Sequence, residues 1–142
     1  MISLAYINHY FSPYSLSYER QNADYEGMFF YHCSISYRSR LAKKTPSKLG
    51  YFVSFWEKDT SNNNQPYSFS KAPDNTLIWV IDDNKKGLFT FPKEILLQKT
   101  ILQTASKKGK MGIRVYPDWE VNLNNTAKKT QEWQTHFFQR IQ

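Results

Sequence analysis

Arg40-Leu41-Ala42-Lys43-Lys44-Thr45-Pro46-Ser47-Lys48-Leu49-Gly50-Tyr51-Phe52-Val53-Ser54-Phe55-Trp56 joins a short polar connection carrying four cations to an almost unbroken apolar run. Gly50 to Trp56 reads as apolar on both faces, which predicts a central strand covered on both sides. Just before it, Arg38 to Lys44 reads as extended. Alternation there puts Arg38, Arg40, Ala42 and Lys44 on one side and Leu41 and Lys43 on the other. Pro46 cannot donate to a ladder and breaks the extended piece. Cations held on a loop by a rigid strand are suited to meeting an anion.

Upstream, Phe29, Tyr31, Cys33, Ile35 and Tyr37 alternate with Phe30, His32, Ser34 and Ser36, the period of a half-buried strand from Met28 onward. Ile2 to Tyr10 reads as a short helix stopped by Pro13, and Ser15 to Glu26 as loop or a weak second helix. Downstream, Lys58 to Pro73 is a long polar loop and Thr76 to Ile81 an apolar strand. Asp82 to Gly87 is a hairpin-like turn, and Leu88 to Phe91 returns from it. Pro92 occupies a first helical position. The predicted helix from Pro92 to Ala105 places Ile95, Ile101, Leu102 and Ala105 on one broad face. Gly112 to Tyr116 is a strand. A last helix runs from about Thr126 to Ile141, capped by Asn124 or Asn125. Strands in the middle with helices over them predict an α+β or α/β layered fold, a central mixed sheet flanked by helices.

At 142 residues the chain has the length of one domain, 1–142. Ten Tyr, ten Phe and four Trp supply large buried areas, and five Gly with six Pro exclude a low-complexity chain. Fourteen Lys and five Arg against twelve acids leave a net charge of +7 and a pI near 9.4. Such an excess keeps a protein soluble, and it also points to an anionic partner, nucleic acid before a membrane surface. No stretch approaches the ~20 apolar residues of a membrane span, so no membrane partner is expected. The lone Cys33 excludes an intrachain disulfide and fits a reducing, cytoplasmic setting. It reads as a buried small hydrophobe rather than a nucleophile. Composition leaves the oligomeric state open.

Four constellations bear on chemistry. The cationic turn places Lys43 and Lys48 on a loop preorganised by Pro46. Arg114 and Tyr116 project from one face of a strand, where a guanidinium fork can hold phosphate and a ring can stack or cap. Gln131 and Gln134 interrupt the apolar stripe of the last helix and need partners at strand ends or in a cleft. The acids Glu19, Asp24, Glu26, Glu57 and Asp59 are the candidates for a Mg²⁺ site. An acid-x-Lys strand is absent, however, and Glu57-Lys58-Asp59 has the wrong spacing. His9, His32, His136 and Cys33 lack metal-ligand spacing, and no Gly-rich phosphate loop is present.

The opening stretch resembles the MepB family, whose members carry a close variant of Arg-x-Ala-Lys-x-Thr-Pro-x-Lys-x-Gly-x-Phe-Val-x-x-Trp. The resemblance extends through Tyr25-Glu26-Gly27, Gly87-Leu88-Phe89-Thr90-Phe91-Pro92-Lys93 and Gly109 to Trp119. It closes with Ala127 to Gln134 and Phe138, so that it covers about Glu19 to Phe138 in the family's order. The first eighteen residues match less well, and Ser39 stands where the family more often has an aromatic. The resemblance implies a restriction-endonuclease-like αβββαβ core. It implies an association with drug-efflux loci rather than an activity, and it spells Lys43 and Lys48 as members of the pattern.

Three readings follow. The first is a nucleic-acid-binding protein on a nuclease-like scaffold, with Lys43, Lys48, Lys93, Arg114 and Tyr116 meeting phosphate around one concave site and with no cofactor. The second is a metal-dependent nuclease with a migrated active site, using Glu19 or Glu26 with Lys43 and requiring Mg²⁺. The third is a small-molecule or regulatory binding protein whose cleft includes Trp56, Tyr116 and Trp133. Whether the chain is an enzyme stays open at this level.

Overall fold

Thr76-Leu77-Ile78-Trp79-Val80 is buried at every position, so both faces of its strand are covered and it is this run that is central to the fold. A computed structural model describes all of residues 1–142. In chain order it contains α1 (Ile2–Tyr10), β1 (Tyr14–Tyr18), a 3₁₀ turn over Arg20–Tyr25, β2 (Met28–His32), β3 (Ile35–Leu41), β4 (Lys43–Lys44) and β5 (Tyr51–Ser54). There follow β6 (Trp56–Lys58), β7 (Asn64–Pro66), β8 (Asn75–Asp82), β9 (Lys85–Pro92), α2 (Lys93–Gln98) and β10 (Gly112–Val115). The chain ends with α3 (Asn125–Gln134), a 3₁₀ turn over Thr135–Phe137 and β11 (Phe138–Arg140). The architecture is α+β with a central mixed sheet in the order β1-β2-β3-β8-β9-β11, whose β3–β8 pair is parallel. A second sheet has the order β10-β5-β4, and β6 pairs with β7.

Strand alternation distributes β8 between two cores. Leu77 and Trp79 point with Met28, Phe30 and Tyr37 toward Ile7 of α1. Ile78 and Val80 point with Phe89 and Phe91 toward Tyr51 and Val53 of the small sheet, Phe55 just beyond it and Leu96 of α2. Each fully buried side chain of this size contributes about 1.5–3 kcal/mol. The Trp79 indole also donates to Ser39 Oγ at 2.9 Å. This serine thus satisfies a buried N–H.

Several sequence expectations change. Gly50 to Trp56 is not the doubly covered strand: Tyr51, Val53 and Phe55 are buried, while Phe52 and Ser54 face outward. The alternating run from Met28 is a hairpin rather than one strand. Cys33 and Ser34 form its turn with φ of 50° and 64°, both in the left-handed region that two-residue hairpins of this hand require. Neither is the Gly or Asn that usually marks such a turn, so the alternation hides it, and Cys33 is exposed rather than buried. Ser15 to Glu26 contributes an edge strand and a 3₁₀ turn, and the polar loop after Lys58 contains β7.

Helix α2 stops after six residues. Thr100 takes a φ of 59°, its N–H bonds Leu97 O and the Ile101 N–H bonds Leu96 O. This is a Schellman ending with threonine in the usual glycine position. Helix α3 begins as expected, with Asn124 Oδ1 accepting from Ala127 N at 2.9 Å. It ends at Gln134, because the chain beyond turns to pair as β11 with β9.

Arg38 and Arg40, which alternation puts on one side of an extended piece with Ala42 and Lys44, are buried. Arg40 reaches Glu19 at 2.7 Å, Tyr67 Oη at 2.7 Å, its neighbour Ser39 O at 2.9 Å and Ser54 O at 3.1 Å. Arg38 Nε meets the same carboxylate at 2.9 Å. Removing the carboxylate leaves two buried guanidiniums without a counter-charge. Glu19→Ala is therefore expected to cost about 3–5 kcal/mol of stability, read as a fall in the urea midpoint. Arg38→Met in the same background should recover part of it.

Candidate nucleic-acid interface

The outward face of the small sheet collects the exposed chemistry. In antiparallel ladders, directly opposed residues share a face. Lys43 of β4 opposes Phe52 of β5, and Arg114 of β10 opposes Phe52 from the other side. The three form a row across the sheet, with cations at its ends and a ring between. Two strand spacings separate Lys43 from Arg114, roughly 10 Å. Tyr25, brought in by the 3₁₀ turn, packs edge-on to Phe52 at 5.9 Å, and Lys43 Nζ lies 5.1 Å from the Tyr25 ring. The Arg114 guanidinium lies 5.8 Å from the Phe52 ring.

Arg114 has a second task. Its Nη1 donates to Thr45 Oγ1 at 2.9 Å and to Leu49 O at 3.2 Å, which ties down the turn between β4 and β5. Gly50 closes that turn at a φ of 83° with the Tyr116 ring packed on it, where a Cβ would meet ring carbons at 2.8 Å. The Thr-Pro-x-Lys-x-Gly signature thus describes a loop whose shape depends on Arg114 and Tyr116, far along the chain.

The expected single concavity is divided. Lys43 and Arg114 share the open sheet face. Lys48 lies on the turn and lines a groove of about 840 Å³ with Lys44, Lys85, Asp82, Trp119 and Glu120. Arg114 and Tyr116 border a smaller cavity of about 280 Å³ with Lys99, Lys110, Thr130 and Trp133. Lys93 lines neither; its ammonium lies 5.4 Å from the Phe69 ring and its N–H bonds Asp74 O. Trp56 lies 5.5 Å below Lys58 on β6, away from Trp133 and Tyr116 in the cavity. Lys99 and Lys110 are not among the site candidates that the sequence offers. Lys99 was counted within a long helix, and the threonine at its early stop carries no signal that would have released it.

Three of the five acidic candidates are occupied. Glu19 holds Arg38 and Arg40. Glu26 caps α1, accepting from Ile2 N at 3.2 Å, Ser3 N at 2.8 Å and Ser3 Oγ at 2.6 Å. Asp59 closes its own turn onto Ser61 N and Asn63 N. No group of three His, Cys, Asp or Glu side chains converges.

On the floor of the larger groove, Tyr51 Oη donates to Asp82 Oδ2 at 2.6 Å, Trp119 Nε1 donates to Tyr51 Oη at 3.2 Å, and Lys44 Nζ lies 3.2 Å from Asp82. Burial first, and the carboxylate it serves second, raise the Tyr51 hydroxyl well above the usual tyrosine range. The Tyr51 hydroxyl, followed by Lys44, holds the Asp82 carboxyl below its ordinary value of 3.8.

At the free edge of β10, Gln134 is buried: its Nε2 donates to Arg114 O at 2.9 Å and its Oε1 accepts from Tyr116 N at 2.8 Å. Gln131 is half-buried and donates to Pro117 O at 2.9 Å and Glu120 O at 3.1 Å. Gln134 therefore holds the last helix to the end of β10, and Gln131 holds it to the loop that follows.

An α+β protein with a mixed sheet and a basic, ring-bearing sheet face is the class these features define. The chain belongs to the MepB-like family, whose model matches residues 19–140. A crystal structure of MepB is 48% identical to it, covers 98% of this chain and 94% of its own, and superposes with a TM-score of 0.90. No curated protein matches the chain. No helix is long and apolar enough to cross a membrane.

Two predictions follow from these contacts. Gln134→Leu orphans a partly buried carbonyl and a partly buried N–H and is expected to cost about 1–3 kcal/mol, measured by thermal melting. Asp82 has a folded pKa below its unfolded one, so its contribution is complete above pH 3.8 and is lost as the pH falls through the lower folded value. Asp82→Asn should therefore be less stable than the parent at neutral pH, with the gap closing in acid, as urea unfolding across a pH series will show.

Proposed function

We propose that this chain binds nucleic acid through phosphate contacts, acting as one cytoplasmic domain over residues 1–142 and without a cofactor. The observation that carries the reading is the row Lys43–Phe52–Arg114 with Tyr25 beside it. Cations spaced about rings are what single strands need: the ammonium and guanidinium groups track the backbone while bases stack. Tyr116 extends the rings past Arg114, and Lys48 and Lys93 add positive charge off the row. The net charge of +7 supports the same partner. The contacts that the row offers are to phosphate, which carries little sequence preference.

The mixed sheet with its parallel β3–β8 pair and flanking helices supports the comparison with a restriction-endonuclease-like core. Binding without cleavage is the reading we adopt on that scaffold. Glu19 is held by buried arginines and Glu26 caps a helix, which supports the reading without Mg²⁺.

The test is fluorescence anisotropy with labelled single-stranded and duplex DNA and RNA of unrelated sequences, across a salt series. Affinity should fall steeply with salt for all of them. Lys43→Ala should weaken every sequence alike and flatten the salt slope by about one unit. Strands incubated with Mg²⁺ or Mn²⁺ should stay intact on a gel. Absence of binding at low salt, or a loss confined to one sequence, would overturn the reading.

A further inference from the structure

The cavity at the free edge of β10 has a composition that the open sheet face does not. Three elements wall it: β10 with Arg114 and Tyr116, the loop carrying Lys99 and Lys110, and α3 with Thr130 and Trp133. Its cations are Lys99, Lys110 and Arg114, and none forms an ion pair with a carboxylate. No acid lines it. Backbone addition at this edge is blocked, because Gln134 already bonds Arg114 O and Tyr116 N. Lys99 and Lys110 put like charges around one small space, with Arg114, whose guanidinium is tied to Thr45 and Leu49, at its border; an anion between the lysines relieves their repulsion. The Trp133 ring packs on Phe91 at 5.4 Å and carries the Lys99 ammonium at the same distance, which leaves it a half-buried wall of the cavity.

Size and connectivity narrow the anion. At about 280 Å³ the space lies at the lower bound of small-ligand sites and takes one phosphate with its attached sugar or ring. An internal phosphodiester carries one charge and needs exits in two directions. A phosphomonoester carries about −1.5 to −2 at neutral pH, matches the paired lysines better and needs one exit. That exit is present, since Arg114 belongs both to the cavity and to the row on the open face.

We propose that this cavity is a phosphomonoester site that receives the terminal phosphate of a nucleotide, so that a bound strand is held by its end as well as along its backbone. The proposal rests on the nucleic-acid reading for the strand; a free nucleotide offers the same phosphomonoester. Lys99 and Lys110 hold the phosphate, Arg114 stands at the cavity's border toward the open face, and Trp133 borders the attached sugar or base.

The experiment compares short oligothymidylates carrying a 5′-phosphate, a 3′-phosphate or hydroxyls at both ends, at one salt concentration. Thymidine monophosphate is the competitor and is also titrated alone by calorimetry. One phosphorylated end should bind about tenfold more tightly than the hydroxyl-ended strand, since charge-assisted bonds are worth about 1.5–3 kcal/mol each. The double variant Lys99→Gln/Lys110→Gln alters surface lysines and should abolish that preference while hydroxyl-ended binding persists. Thymidine monophosphate should erase the preference in the parent. Equal affinity for all three strands overturns the phosphomonoester site and leaves the nucleic-acid reading standing. Monophosphate binding that depends on Lys99 and Lys110, with no strand binding, supports the site for a free nucleotide and overturns the nucleic-acid reading. Binding of neither overturns both.

Discussion

The Arg40 guanidinium is the joint on which the molecule turns. It is fully buried on β3, in the large sheet, and it bonds the carbonyl of Ser54 at the end of β5, in the small one. Through Glu19 it also holds the start of the 3₁₀ turn, and through Tyr67 the loop that follows β7. A buried charge is tolerated only with its counter-charge and its hydrogen bonds complete, so all four segments must meet in one arrangement. Arg38 adds a second cation to Glu19 and stacks on Tyr67 at 3.6 Å. Gly27 lies against this centre, where a Cβ would meet Glu19 O at 2.8 Å.

The joint orients the candidate interface. Fastening β5 by its end leaves Tyr51, Val53 and Phe55 on the shared core and Phe52 outward. The turn that Glu19 begins delivers Asn22, whose amide bonds Trp56 O and Ser54 Oγ, and then Tyr25 against Phe52. Ring and cation on the open face are therefore supported from behind by a polar network with no buried side-chain atom left unpaired. Rigid support of this kind lets a handful of surface groups present a fixed geometry to a flexible polymer.

Much of this was legible from the chain. The first helix, the β8–β9 hairpin, the Asn124 cap and the layered α+β class all follow from period, turn chemistry and capping. The pairing of Arg114 with Tyr116 on one face followed from alternation alone. The misreadings share a cause. The hairpin at Cys33-Ser34 and the stop at Thr100 adopt left-handed backbone with residues that do not favour it, so no local preference announces them. Tertiary packing imposes them: β2 must return to pair with β3, and Ile101 and Leu102 must enter the core as loop residues.

By itself the sequence determined the quantities that are sums or local periods: a basic chain, an aromatic-rich core, strands in the middle and helices at the flanks. Those depend on residue type and on neighbours a few positions away. Only the tertiary structure decided which cations are structural and which are free. Arg38 and Arg40 read like Lys43 and Lys44 along the chain, yet the first two are buried against Glu19 and the last two are exposed. It likewise brought Lys99, Lys110 and Arg114 around one cavity although none is a neighbour of another in sequence. The reason is physical: a charge is structural or available according to what lies within a few ångströms of it, and chain order does not set that distance.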